Sequence, residues 1–184
     1  SICSLKGYKH GGANLRVTRM MNDINENVSD WGDENEIGAY LDRIMKKEVF
    51  DGAGLIYGVG HAVYSLSDPR AVIMKAYAQR LADDKGFGDE FSLYSSIEKL
   101  APEIIAKNRK IYKGVSVNVD FYSGFVYRLL NLPPELFTPL FAASRIVGWS
   151  AHRMEELANQ GKIIRPAYKS VSVEQHYVPL KDRG

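Results

Sequence analysis

Two histidines and one carboxylate stand in short motifs whose residue types could do acid–base chemistry. The first histidine begins His10-Gly11-Gly12-Ala13-Asn14, and the small residues after it cannot crowd a ligand beside the ring. At the start of a helix, such an imidazole is favoured in its neutral form and the helix amino terminus stabilises developing negative charge. The alternative is a capping turn with an exposed histidine, because glycine-rich turns are common.

The second histidine, His61, lies in the glycine-rich segment YGVGHAVY at 57–64, which is followed by Asp68-Pro69-Arg70. Glycines let backbone N–H groups approach an anionic or adenine-bearing ligand, and an arginine can grip a carboxylate through two hydrogen bonds. A dinucleotide-binding loop is excluded because neither a preceding strand nor a helix opening at the glycines is evident. The alternative is a glycine-rich turn in which Asp68 caps a helix.

The carboxylate is Asp120, within the segment NVDFYSG at 118–124. Its neighbours Val119 and Phe121 are apolar, and a partly desolvated carboxylate is a better general base. The alternative, which the sequence alone favours, is that Asp120 merely caps the helix that follows.

Several basic residues could bind anions. Arg145 lies within the apolar segment FAASRIVGW at 141–149, and Arg165 precedes Pro166. A guanidinium in an apolar face must be paired, either with a carboxylate of the chain in a structural salt bridge or with one brought by a ligand. Lys113 belongs to a basic cluster that could equally be a solvated face.

The elements that must position these residues are helices, because apolar residues recur at three- and four-residue intervals in segment after segment. This periodicity predicts an all-α fold. One stripe consists of Val17, Met20, Met21 and Ile24, and a second of Ile37, Tyr40, Leu41, Ile44 and Met45. We expect Asp33 to cap the second helix, with Glu36 in the capping-box position.

The later helices have clear boundaries. Asp68-Pro69 predicts the start of a third helix, whose apolar face would hold Ile73, Ala76, Tyr77 and Leu81. Pro102 divides the segment 90–110 into two expected helices. Further helices are predicted at 120–130 and 134–160, the last one carrying Phe137, Leu140, Phe141, Val147, Met154 and Leu157. The segment 162–184 alternates apolar and polar residues, which is typical of a short hairpin or an extended arm.

Composition excludes several classes of function. The chain has 184 residues and a formal net charge of +2, too small for a nucleic-acid surface. It has no apolar run long enough to cross a membrane and no signal pattern, so we expect a cytoplasmic protein. Cys3 is the single cysteine, which excludes an intrachain disulfide. The chain opens at Ser1 and reaches the HGGAN motif within ten residues, so we expect an amino-terminal portion to be missing.

Taken together and in this order, the motifs resemble the citrate synthase family over essentially the whole chain. The residues that carry the resemblance are HGGAN at 10–14, GVGHAVY at 58–64, Asp68-Pro69-Arg70, NVDFYSG at 118–124, FTPLFAASRIVGW at 137–149 and Ile164-Arg165-Pro166. The resemblance implies condensation of acetyl-CoA with oxaloacetate to give citrate and free coenzyme A, with no metal or redox cofactor.

The resemblance also implies roles for individual residues. Asp120 would remove a proton from the acetyl methyl group, His10 would hydrogen-bond the thioester oxygen, and His61 would polarise and protonate the keto carbonyl. Arg70 and Arg145 would hold the carboxylates of the keto acid, and Arg165 would enter the site of a partner subunit in a homodimer. The implied coenzyme A contacts are Ile56, Tyr57, Gly58, Val59, Gly60, Ala62, Lys113 and Asn118.

In the family's helical fold a small lobe closes over a large one. By resemblance, residues 1–10 end a large-lobe segment, 11–120 form the small lobe, and 121–184 are the carboxyl-terminal part of the large lobe with an arm. Two features depart from the family pattern. Ser65 stands where a basic residue is common, and a long helical portion with another histidine is absent before HGGAN. We therefore expect this fragment alone to be inactive.

Two alternatives remain open at this stage. The close relative 2-methylcitrate synthase uses propionyl-CoA, and nothing in the sequence separates the two acyl donors. A helical dimerisation module that keeps the surface without catalysis is the other alternative.

Overall fold

The computed structural model describes residues 12–109, 114–159 and 179. In this part of the chain the secondary structure consists of helices and one isolated antiparallel bridge, between Val59 and Val117, which confirms the all-α prediction. The helices are α1 (Ala13–Asn27), α2 (Glu34–Met45), α3 (Pro69–Lys85), α4 (Gly88–Arg109), α5 (Val119–Leu129), a 3₁₀ turn (Pro134–Leu136) and α6 (Phe137–Ala158).

The chain divides into two compact units, the first ending at Arg145 and the second beginning at Ile146. The lobe boundaries expected from the resemblance stay a prediction. The hairpin or arm expected at 162–184 lies, except for Pro179, outside the described residues. No helix in the described ranges is long and apolar enough to cross a membrane.

The first two helices bury the stripes that their periodicity predicts. The buried residues are Val17, Met20, Met21 and Ile24 on α1 and Ile37, Tyr40, Leu41, Ile44 and Met45 on α2. Asp33 caps α2 as predicted, since its carboxylate accepts a bond from the Asn35 amide at 2.8 Å. The carboxylate of Glu36 does not close a capping box. It instead accepts bonds from the amides of Ser29 and Asp30, at 2.7 and 2.9 Å, and so fixes the loop between the two helices.

Helix α3 begins after Asp68 as predicted but buries a different face. Ile73 and Tyr77 are 61% and 56% exposed. The buried residues are Ala71, Ala78 and Ala82. The predicted face is wrong for Ile73 and Tyr77 because α3 packs against α5 and α4 mainly through these alanines, although Leu81 of the predicted face is partly buried against the core.

Helix α4 is continuous through Pro102, so the prediction of two helices is wrong. A proline inside a helix costs about 3 kcal/mol through its missing hydrogen bond and its clash with the preceding turn. Ile97, Ala101 and Ile105 are buried on both sides of the proline, and α4 packs on α2 and α3. Tertiary packing of this face offsets the local cost.

Helix α5 lies at the centre of the first unit. Phe121, Tyr122 and Phe125 are buried, and the ring of Tyr94 on α4 lies 4.7 Å from that of Phe125. Gly124 permits the contact with α1, because a Cβ there would lie 2.5 Å from Oγ1 of Thr18. The amino-terminal ends of α1 and α5 are therefore held close together.

Helix α6 presents its apolar residues differently from α1 and α2. Phe137 at its start is buried, whereas Val147, Met154 and Leu157 are 78%, 69% and 59% exposed. Periodicity shows that a helix has an apolar face, but burial requires a second apolar surface. None of the described residues covers this face.

Candidate active site

One cavity of about 220 Å³ in the first unit brings together several of the predicted site residues. Its walls come from the start of α1, the glycine-rich loop, the start of α3, the start of α5 and the first turns of α6. The lining residues are Gly12, Ala13, Asn14, His61, Arg70, Asn118, Val119, Asp120, Thr138, Phe141 and Arg145.

The glycine-rich loop reaches the start of α5 through backbone pairing. The amide of Gly60 donates to the Ser116 carbonyl at 2.7 Å, and the amide of Asn118 donates to the Gly58 carbonyl at 2.9 Å. The side-chain amide of Asn118 adds a bond to the Gly60 carbonyl at 2.9 Å. These bonds place His61, which follows Gly60, beside the helix that carries Asp120.

Asp120 lies in the first turn of α5 and is half-buried. The helix cap is Asn118, whose side-chain oxygen accepts a bond from the Asp120 amide at 3.0 Å. The interpretation of Asp120 as the cap is therefore wrong. Asp120 instead lines the cavity. Burial and, to a lesser extent, the charge of Asp120 raise the pKa of Tyr127 on the same helix.

Backbone contacts select the tautomer of His61. Its Nδ1 accepts bonds from the amides of Val63 and Tyr64, both at 3.0 Å. A neutral ring therefore carries its proton on Nε2. Nε2 lies 3.2 Å from Nη2 of Arg70, and both atoms are donors in this tautomer. The ring is thus prepared to donate a hydrogen bond from Nε2 to an oxygen held beside Arg70.

Arg70 is anchored by Asp68, the residue that caps α3. The Asp68 carboxylate is fully buried, and Nη2 of Arg70 lies 2.8 Å from its Oδ2. The hydrogen bonds from Arg70 hold the pKa of Asp68 below its ordinary value, and the same pairing raises the pKa of Arg70. The sequence identified Asp68 as a cap but gave no signal for its contacts across the cavity wall.

Arg145 is exposed, so the expectation of a guanidinium buried in an apolar face is wrong. The face of α6 on which it lies is itself largely exposed, and the group remains in contact with solvent. Its Nη1 bonds Oγ of Ser144 at 3.2 Å, and its Cζ lies 5.4 Å from the ring centroid of Phe141. Among the described residues no carboxylate lies within ion-pair distance of Arg145.

A second cavity, of about 250 Å³, lies beside the same loop and shares His61 with the first. Of the predicted coenzyme A contacts, Ile56, Val59 and Gly60 line it. Arg109 also lines this cavity, and its Nη2 donates to the carbonyl of Gly54 at 2.7 Å. Arg109 is not among the predicted coenzyme A contacts.

The other predicted coenzyme A contacts have different surroundings. Tyr57 donates through its hydroxyl to Asp51 at 2.6 Å and accepts from Arg16 at 3.2 Å. Asn118 lines the first cavity rather than the second. Gly58 and Ala62 lie in the same loop as Ile56 and Val59.

Three predicted site residues, His10, Lys113 and Arg165, lie outside the described residues. Within 12–109 and 114–159, no group of three or more His, Cys, Asp and Glu side chains could hold a metal ion. Thr138 and Phe141 also line the cavity but were not singled out as site residues, although both lie in the FTPLFAASRIVGW motif at 137–149.

A family model described as citrate synthase, C-terminal domain, matches residues 1–167. The chain belongs to the citrate synthase family. The resemblance inferred from the motifs is therefore confirmed. Among curated relatives, the citrate synthase of Corynebacterium glutamicum is 40% identical over 184 residues, which cover 99% of this chain and 40% of that protein. The citrate synthase of Synechocystis is 36% identical over 186 residues, covering 100% of this chain and 42% of that protein.

The comparison also includes one relative with a different name and two solved structures. A 2-methylcitrate synthase of Shewanella oneidensis is 33% identical over 100% of this chain and 44% of its own length. The citrate synthase structure from Thermotoga maritima matches with a TM-score of 0.66 and 32% identity, over 98% of this chain and 44% of that one. A ternary complex of Thermoplasma acidophilum citrate synthase with carboxymethyl coenzyme A and oxaloacetate matches with a TM-score of 0.66 and 29% identity, over the same shares. The chain thus spans less than half the length of these family members.

Proposed function

We propose that the full-length protein containing this chain condenses acetyl-CoA with oxaloacetate and releases citrate and free coenzyme A. The observation that carries the proposal is the single cavity lined by His61, Arg70, Asp120 and Arg145. It combines a carboxylate that can accept a carbon-bound proton, an imidazole that donates from Nε2, and two guanidinium groups for the two carboxylates of a keto acid.

In the proposed reaction, Asp120 removes a proton from the acetyl methyl group while His10 hydrogen-bonds the thioester oxygen. The resulting enolate, whose oxygen keeps the hydrogen bond from His10, attacks the keto carbonyl of oxaloacetate through its carbon. His61 donates its Nε2 proton to the oxygen of that carbonyl, and the proton taken up by Asp120 restores the neutral histidine. Water then hydrolyses the thioester bond, which releases citrate and the thiol. Donors already aimed at the developing charge lower the barrier because they need no reorganisation during the reaction.

Substrate binding would use both cavities. Arg70 and Arg145 bind the keto acid in the first cavity, and coenzyme A lies along the glycine-rich loop with Ile56, Val59 and Gly60. The bound ligands of the related Thermoplasma structure support this choice of substrates. The reaction needs no metal or redox cofactor. We propose a cytoplasmic homodimer in which Arg165 enters the partner's site.

The test is release of free coenzyme A by the full-length protein, followed with a thiol reagent. Asp120→Asn keeps the shape of the side chain but cannot accept the proton, so we expect kcat to fall by about 10²–10⁴-fold. Asp33→Asn is the matched control, since its carboxylate caps α2 and does not line the cavity. An Asp120→Asn protein that releases coenzyme A as fast as wild type would exclude Asp120 as the base.

A second candidate function is that of 2-methylcitrate synthase, favoured by the Shewanella relative. The two substrates differ by one methylene group, which changes binding by about 1–3 kcal/mol or about 10–200-fold in kcat/KM. Steady-state rates with acetyl-CoA and propionyl-CoA distinguish the two. A full-length protein that dimerises but is inactive with both thioesters would favour the non-catalytic dimerisation module.

A further inference from the structure

The carboxylate of Asp68 is the common acceptor of four N–H donors from two helices. Its Oδ1 accepts bonds from the backbone amide and the Nε of Arg70, both at 3.0 Å. Its Oδ2 accepts bonds from Nη2 of Arg70 at 2.8 Å and from the amide of Val119 at 3.2 Å. Both oxygens are therefore satisfied, although the side chain has no exposed surface.

A helix cap alone does not require this set of contacts. Asp33 performs the same capping role on α2 with a bond to the amide two residues on, and it is only partly buried. Asp68 makes the equivalent bond to Arg70 and three more, all to groups in the wall of the first cavity. Burial of a carboxylate is costly unless charged and polar partners compensate, so the additional contacts fix Asp68 in one position.

The additional contacts connect the residues that the proposed reaction uses. Arg70 is held in a two-pronged geometry, and its Nη2 lies between Oδ2 of Asp68 and Nε2 of His61. Val119 is the first residue of α5, so its bond to Asp68 anchors the turn that carries Asp120. One carboxylate thus determines the position of the anion-binding arginine and of the helix end that bears the proposed base.

We propose that Asp68 is a positioning residue for the condensation, acting through Arg70 and through the amino terminus of α5. This inference depends on the proposed function, because it assigns Arg70 to the keto acid and Asp120 to proton abstraction. Asp68 itself touches no substrate in this scheme. It holds the guanidinium in the orientation that binds a carboxylate and keeps Asp120 at a fixed distance from the acyl group.

Asp68→Asn is the informative substitution. An amide has one accepting oxygen and one donating nitrogen, so in either orientation its NH₂ group faces N–H donors of Arg70. Arg70 then loses part of its anchor. We expect a higher KM for oxaloacetate and a lower kcat, with a combined loss in kcat/KM of about 100-fold, as for a displacement of about 1 Å.

The experiment compares four variants of the full-length protein at a temperature where circular dichroism shows all of them folded: Asp68→Asn, Asp33→Asn, Arg70→Gln and the double variant Asp68→Asn/Arg70→Gln. Asp33→Asn makes the same chemical change at a helix cap that does not line the cavity, and it should leave kcat/KM within about twofold. If Asp68 acts through Arg70, adding Asp68→Asn to Arg70→Gln should cause a much smaller further loss than it causes in wild type.

Wild-type kcat/KM in Asp68→Asn would overturn the inference, and so would losses from Asp68→Asn and Arg70→Gln that multiply fully in the double variant. Should Asp68→Asn fail to fold, Asp68→Glu keeps the charge and moves it by one methylene group. A folded Asp68→Glu protein with wild-type kcat/KM would equally overturn the inference.

Titration calorimetry with oxaloacetate measures binding of the keto acid and needs no turnover. A wild-type protein without activity overturns the proposed function, and unchanged oxaloacetate affinity in Asp68→Asn separately overturns the role of Asp68.

Discussion

Substitution of Gly58 by alanine tests whether the loop that carries His61 packs against the helix that carries Asp120 as tightly as the structure shows. Its backbone φ is +78°, and a Cβ there would lie 2.8 Å from Cγ2 of Val17 and 3.0 Å from Cα of Phe121. Val17 and Phe121 are completely buried, and one of the close atoms belongs to backbone, so neither can move aside easily. We therefore expect Gly58→Ala to destabilise the protein through two separate terms.

The first term is conformational. A residue with a Cβ pays about 1–2 kcal/mol in the left-handed region. The second term is steric, since inserting a methyl group into a packed core costs about 1–3 kcal/mol. Together they predict that Gly58→Ala lowers the free energy of unfolding by about 2–5 kcal/mol.

Gly86→Ala isolates the conformational term. Gly86 ends α3 with a φ of +76°, nearly the value at Gly58, and a Cβ there has no neighbour within 4 Å. Urea unfolding of both variants, followed by circular dichroism, gives the difference directly. We expect Gly58→Ala to be less stable than Gly86→Ala by about 1–3 kcal/mol. Equal stability of the two variants would refute the close contact between the loop and α5.

Three further predictions concern the helices and the core. Pro102→Ala restores a backbone donor inside the continuous helix α4 and should raise the free energy of unfolding by about 1–3 kcal/mol, measured by urea unfolding; an unchanged midpoint would contradict this. Ala78→Leu should cost about 1–3 kcal/mol or more because Ala78 is completely buried on α3, whereas Ile73→Ala on the exposed side should change stability by less than about 0.5 kcal/mol. Burial, helped by a 2.7 Å bond to Asp23, raises the pKa of Tyr40 to about 12. The pKa of Tyr40 is thus higher in the folded protein than the value of about 10 in the unfolded chain. The stability that the neutral phenol contributes is fully present below about pH 10 and is lost as pH rises from about 10 to about 12. Tyr40→Phe should flatten the decline of stability across that interval, and an unchanged pH profile would disprove the assignment.

The sequence predicted α1, α2 and α5 well because each has a clear local signal. The stripes of α1 and α2 are apolar at helical spacing and have a matching buried surface inside the first unit. The predicted start of α5 was within one residue of Val119. The cap was misassigned because Asn118 and Asp120 are both good capping residues, and only the backbone geometry decides which of them accepts the hydrogen bond.

The errors at α3 and α4 share one cause. Ile73 and Tyr77 form an apolar face on the helix, but α3 packs against α5 and α4 mainly through its alanines. Pro102 is a strong local breaker, yet the residues around it are held in the core and the helix continues. In both helices tertiary packing outweighed a local preference of a few kcal/mol.

The sequence by itself determined the helical class and the family and supplied the candidate site residues, because periodicity and motif order are properties of the chain alone. Tertiary structure decided which side chains share a cavity. His61 and Asp120 meet because the backbone of the glycine-rich loop pairs with the residues before α5, and Arg70 is aimed by a carboxylate whose bond to Val119 spans distant parts of the chain. Such contacts depend on which surfaces fold against each other, and the spacing of residues along the chain does not contain that information.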